Sequence, residues 1–136
     1  MPDLIVEAHA EQDLDTLFLE DEDTAAIIDV LLDEIYGNED LIQLLCTDRS
    51  RRMEEPAFTN ERFIELWNIG YTIYRLKMWD LEDSLLSHRT LHAYDGRSDC
   101  THILAIIHRD HAYDTNHPQV RRCVADYDAI GIYRAH

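Results

Sequence analysis

A chain of 136 residues, 46% of them hydrophobic, is long enough for one folded domain that buries about two-thirds of its extended surface. Its formal charge of −16 is unevenly spread: residues 1–48 hold fifteen Asp or Glu and no Lys or Arg, whereas residues 49–136 hold thirteen acids and twelve bases. Cys46, Cys100 and Cys123 are too scattered for a disulfide framework, no apolar run reaches membrane-spanning length, and MPDLIVEAHAEQD lacks the basic and apolar regions of a secretory leader, so a reducing cytoplasm is the expected compartment.

In chain order, Leu4, Ile5 and Val6 predict a short first strand within Asp3 to Ala8, and Leu14, Leu17 and Phe18 share one helical face that ends at the acidic run Glu20 to Asp23. Thr24 is the expected N-cap of a second helix, in which Ile27, Ile28, Leu31, Leu32 and Ile35 form a buried stripe. Gly37 is expected to stop it in a left-handed conformation, and Asn38 to cap a short third helix through Leu41, Leu44 and Leu45. From Thr47 to Asn60 there is little periodicity and one proline, which predicts a loop carrying Arg49, Arg51 and Arg52. Asn60 to Asn68 reads as a helix with Phe63, Ile64 and Trp67 on one side, closed by Gly70.

Three strands follow. In Tyr74 to Asp80, apolar Tyr74, Leu76 and Met78 alternate with Arg75, Lys77 and Trp79, so the bases share a face. In His88 to Tyr94, Arg89 shares a face with Leu91 and Ala93, opposite His88, Thr90, His92 and Tyr94. Asp95-Gly96 signals a tight hairpin of the kind that needs positive φ. Ile103 to Ile107 is apolar on both faces, which predicts a central strand covered by helices on one side, and Pro118 opens a C-terminal helix that turns Val120, Cys123, Val124 and Tyr127 to the core. The expected class is therefore α+β in one domain: residues 1–70 mostly helical and acidic, 71–113 a small, mainly antiparallel sheet, and 117–130 a C-terminal helix.

The strands Tyr74 to Asp80, His88 to Tyr94 and His102 to Arg109, followed by Tyr113, together resemble the C-terminal half of the RelE/ParE family of bacterial type II toxins, and His117-Pro118 with Arg121 and Arg122 is similar to the tail of a longer, acidic branch. The likeness runs from Trp67 to Arg122, with a weaker echo in the N-terminal helices. It implies helices followed by consecutive antiparallel strands, and an RNA cleavage that needs no metal or other cofactor, in which the 2′-hydroxyl attacks the adjacent phosphate. By that resemblance Arg75, Lys77 and Arg89 bind substrate phosphate, Arg109 stabilises the developing charge, and Tyr113 or His108 moves a proton, with His111 a further group titrating near neutrality. Arg109 and Tyr113 stand closer together than in the best-known ribonucleases of the family, and Asp80, Asp110 and Asp114 near the same rim oppose RNA or pair with the bases.

The implied partners are a cognate antitoxin and the ribosome with its messenger RNA. Two alternatives stay open: a non-nuclease toxin that binds a protein such as DNA gyrase, and an acidic inhibitor or regulator whose residues 1–48 imitate nucleic acid. A homodimer that hides part of the sheet is a further expectation, and no membrane partner is expected. The acidic half reads first as solvated faces of amphipathic helices, ahead of a surface that repels or imitates nucleic acid. Ligand spacing at His108, His111, Asp114 and His117 matches no zinc motif, so no metal is expected there.

Overall fold

The computed structural model describes residues 3–48 and 57–134, so the arginine-bearing loop at Arg49, Arg51 and Arg52 lies outside the described residues. The elements are β1 (Asp3–Val6), α1 (Ala8–Glu20), α2 (Glu22–Tyr36), α3 (Glu39–Leu44), β2 (Phe58–Arg62), α4 (Ile64–Trp67), β3 (Ile73–Met78), β4 (His88–Asp95), β5 (Cys100–His108) and α5 (Pro118–Ile130). They form an α+β fold around one five-stranded mixed sheet of order β1-β5-β4-β3-β2. β2 through β5 pair antiparallel with their neighbours, and β1 lies parallel to β5 in the register Asp3 to Cys100 and Val6 to Ile103.

Alternation along the strands sends two sets of side chains to two separate cores. On one face Leu4, Phe58, Leu76, Met78, Ile103 and Ile106 meet the apolar stripes of the first three helices, including Leu17, Ile28, Leu32, Ile35, Leu41 and Leu45. On the other, Ile73, Leu91, Ala93, Leu104, Ala105 and Ile107 meet Phe63, Leu66 and the α5 residues Val120, Cys123 and Tyr127. The central strand is β4, not β5. β5 lies between β4 and β1 and has helices over both faces, α1 on one and α5 on the other, which is why Ile103 to Ile107 is apolar throughout. A register shift at Leu91 and His92 leaves Leu104 without a cross-strand partner and turns both Leu104 and Ala105 to the α5 side.

Several local expectations are corrected. The cap of α2 is Asp21, whose carboxylate accepts from the Thr24 N–H (3.2 Å) and hydroxyl (2.8 Å), so Thr24 sits inside the first turn. Its hydrogen bonds to Thr24 hold the Asp21 carboxyl below its ordinary pKa. Gly37 ends α2 at φ −80°, with no left-handed turn, while Asn38 does cap α3 by accepting from the N–H groups of Asp40 and Leu41. Phe58–Arg62, expected as loop and helix, is an edge strand, and the helix that follows is one turn, Ile64–Trp67. The β4–β5 connection spans residues 96–99, and its positive φ falls on Asp99 (51°), not on Gly96. α5 opens at Pro118 as expected and ends at Gly131, whose φ of 85° is the left-handed closure favoured by glycine. Among the described residues no helix is long and apolar enough to cross a membrane.

Candidate functional site

Strand alternation puts Arg75 and Lys77 of β3 and Arg89 of β4 on the sheet face turned away from α1–α3. Arg75 is only 6% exposed. Its guanidinium carbon lies 4.6 Å from the Phe63 ring centre and 4.0 Å from that of Tyr113, between two aromatic faces. Its Nε and Nη1 have no hydrogen-bond partner, and no carboxylate pairs with it among the described residues. Burial pulls its pKa below the ordinary arginine value, against the opposing pull of Tyr113, Glu61 and Glu65, while Arg89 adds like-charge repulsion.

Arg89 is 4% exposed and donates through Nη1 to the carbonyl oxygens of Leu86 (2.8 Å) and His88 (3.4 Å). Lys77 Nζ is 3.1 Å from the carboxylate of Glu61 on the neighbouring strand. Tyr113 is about half exposed over Arg75. Arg109, just beyond β5, is exposed; its backbone N–H donates to Ser87 (2.8 Å) and its guanidinium makes no hydrogen bond or ion pair among the described residues. The structure thus gathers Arg75, Lys77, Arg89 and Tyr113, and leaves only Arg109 and Tyr113 open to a ligand without rearrangement.

His108 lies elsewhere. It stands opposite His88 in the β4–β5 pairing, on the α1 side of the sheet, away from Arg75 and Arg89. There it joins a cleft of about 400 Å³ with His88, His111 and His117, floored by Leu17 and Ile106 and flanked by Asp13 and Glu20. Ring centroids are 5.2 Å apart for His88 and His108, 6.1 Å for His108 and His111, and 4.3 Å for the stacked His111 and His117. Nδ1 of His108 accepts from the Asp110 N–H (3.1 Å) and Nδ1 of His117 from the Gln119 N–H (3.2 Å), so each neutral ring carries its proton on Nε2. That tautomer has no free lone pair at Nε2 for a metal. Among the described residues no three His, Cys, Asp or Glu side chains are placed to hold one.

His88 and Asp13 were invisible as members of this cleft in the sequence. Arg122 grips Asp13 with two nitrogens (3.0 and 2.5 Å), and the other Asp13 contact is the Ile106 N–H (3.0 Å); these partners lie 109 and 93 residues along the chain from Asp13. A second buried network is structural: Asn60 donates to the carbonyls of Leu45 (2.9 Å) and Thr47 (2.8 Å) and accepts from His92 Nε2 (2.8 Å), while His92 stacks on Tyr74. Cys100 and Cys123 are buried with their thiols pushed up by desolvation, Cys100 to about 11, so neither is a poised nucleophile. No protein-family model, curated protein or solved structure matches this chain.

Proposed function

We propose that this chain is the toxin-like component of a bacterial type II toxin–antitoxin module and that it cleaves messenger RNA on the ribosome, in the cytoplasm, without a metal ion. One observation carries the reading: a chain of net charge −16 collects Arg75, Lys77 and Arg89 on a single sheet face, lays Tyr113 against Arg75, and leaves the exposed Arg109 guanidinium at the edge without a partner among the described residues. Helices α1 to α3 followed by β2 to β5 in consecutive antiparallel pairing, with the one-turn α4 after β2, run in the helices-then-strands order that the RelE/ParE resemblance implies, which supports the same reading.

On this reading the labour is divided differently from the sequence expectation. Arg109 is the cation open to a scissile phosphate, where a preorganised donor stabilises the charge that develops as the 2′-hydroxyl attacks. Arg75 and Arg89 are too covered to touch RNA in this conformation and act as fixed positive charge beneath the surface. The Tyr113 hydroxyl, exposed beside them, is the group placed to take the proton of the 2′-hydroxyl or to give one to the leaving 5′-oxygen. His108 reaches that face only around the end of β5. The apolar groove between α2 and Trp79–Leu81, where Val30 and Leu81 are exposed, offers surface for the antitoxin.

A second reading, a toxin that binds a protein target such as DNA gyrase, is favoured by the burial of Arg75 and Arg89 and the Lys77–Glu61 pair, which leave little of the basic face open. Induced expression with primer extension on cellular messenger RNA separates the two. The ribonuclease reading expects new, EDTA-insensitive 5′ ends, and a loss on the order of a hundredfold or more in cleavage for Arg109→Ala. Growth arrest without new ends in wild type, or with Arg109→Ala fully toxic, moves the assignment to the protein-binding class.

A further inference from the structure

We propose that the histidine cleft between α1 and the turn leading into α5 is a binding site for a phosphate-type oxyanion, held by the ring N–H groups of His108, His111 and His117. The proposal stands apart from the ribonuclease reading, whose residues lie on the other face of the sheet.

Three observations meet here. Four imidazoles from separate parts of the chain, on β4, at the end of β5, in the turn after it and at the N-cap of α5, line one cleft of about 400 Å³. Backbone N–H groups occupy Nδ1 of His108 and His117, which commits Nε2 to donation even in the neutral rings. The carboxylate that would most oppose an anion, Asp13, is already matched by the bidentate Arg122 and the Ile106 N–H. The cleft is thus rich in donors, and of its two lining acids, Asp13 and Glu20, the first is already compensated.

The same crowding links binding to protonation. Imidazolium rings this close repel one another, and a bound oxyanion relieves that repulsion. Burial and the nearby His108 hold His88 below its ordinary pKa, although Asp21 and Glu20 pull the other way and Arg89 adds to the depression. The remaining charged groups at the cleft are Glu20 of α1 and Asp110, whose carboxylate is 3.4 Å from His108 Nδ1. Both disfavour an anion while the histidines are neutral. Binding therefore belongs to the acid side of neutrality.

The test uses the full chain and sulfate, whose charge is constant across the range, at about pH 6 and about pH 8, with histidine Cε1–H resonances as the readout. The expected result is a concerted shift of His108, His111 and His117, with their titrations moved upward by sulfate and affinity at least about tenfold higher at the lower pH. His111→Gln combined with His117→Asn, which keeps an N-cap acceptor, should lower that affinity about tenfold or more. His108→Gln alone provides the same reading should the double variant fail to fold. A nucleoside monophosphate run in parallel identifies the source of the phosphate group: tighter binding than sulfate assigns a nucleotide, equal binding a free oxyanion. Sulfate that moves none of these resonances, binds equally at both pH values, or is indifferent to the substitutions overturns the proposal, and none of those outcomes touches the Arg109 test above.

Discussion

Replacing Arg75 by methionine distinguishes a charge kept for folding from one kept for a ligand. The side chain is 6% exposed, its guanidinium sits 4.6 and 4.0 Å from the centres of Phe63 and Tyr113, and two of its nitrogens lack partners. Each ring contributes up to about 2 kcal/mol to a desolvated guanidinium. Each unpartnered buried donor costs about 1–3 kcal/mol, and the neighbouring Arg89 adds repulsion. The two sides nearly cancel. Methionine has a similar reach and no polar hydrogen to satisfy, and its sulfur gains about 0.3–1.5 kcal/mol against aromatic rings. Arg75→Met should therefore unfold within about 1 kcal/mol of wild type, or up to about 2 kcal/mol above it, a change of no more than several degrees in Tm for a chain of this size. Urea denaturation and a thermal scan measure this, and the same variant is scored for growth arrest. Intact stability with lost toxicity would mark Arg75 as functional. A loss of more than about 3 kcal/mol would refute the cancellation argued here and make the arginine a structural strut.

Three further predictions concern the interior. Asn60→Ala strands the buried Leu45 carbonyl, the partly buried Thr47 carbonyl and His92, and should cost roughly 2–4 kcal/mol by chemical denaturation; a loss under about 1 kcal/mol would mean that water replaces the amide. Burial pushes His92 down to about 3, so between that value and its unfolded pKa of about 6.5 the unfolded chain binds the extra proton and stability falls as pH falls. His92→Gln should flatten that acid limb of the stability curve, and an unchanged limb would assign the acid sensitivity to other groups. Native protein should present one thiol, Cys46, to a disulfide reagent on a short timescale, with Cys100 and Cys123 reacting only on unfolding; rapid labelling of all three would contradict the buried placement of the pair.

Much of the architecture was legible because it is written in local periodicity. The stripe Ile28, Leu32 and Ile35, the alternation in β3 and β4, and Pro118 at the start of α5 each follow from a single element's geometry. Phe58–Arg62 escaped because its central residue, Asn60, is polar and buried for a tertiary reason, the capture of the Leu45 and Thr47 carbonyls and of His92. The misplaced central strand has a similar cause: apolar character on both faces marks burial, and β1 supplies the burial of β5 from the far end of the chain. At the candidate site, alternation put Arg75, Lys77 and Arg89 on one face. It could not reveal that Phe63 and Tyr113 close over Arg75, nor that His108 turns away to join three other histidines.

The parallel pairing of β1 with β5, which sets Asp3 beside Cys100, fixes the order in which this chain can be finished during synthesis. The first strand has no edge to join until nearly a hundred residues later, and the apolar face of α1 waits equally long for β5. A hairpin such as β4–β5 closes on its own, whereas docking β1 bears the full loop-closure entropy and comes late. Through that interval the segment 1–48 emerges with fifteen carboxylates and no base. Mutual repulsion between neighbouring nascent chains, and between each chain and the ribosomal RNA it leaves, keeps those waiting surfaces apart. Beyond the few carboxylates that the finished fold uses, Asp13 and Asp21 among them, this acidity thus protects the fold while it is incomplete.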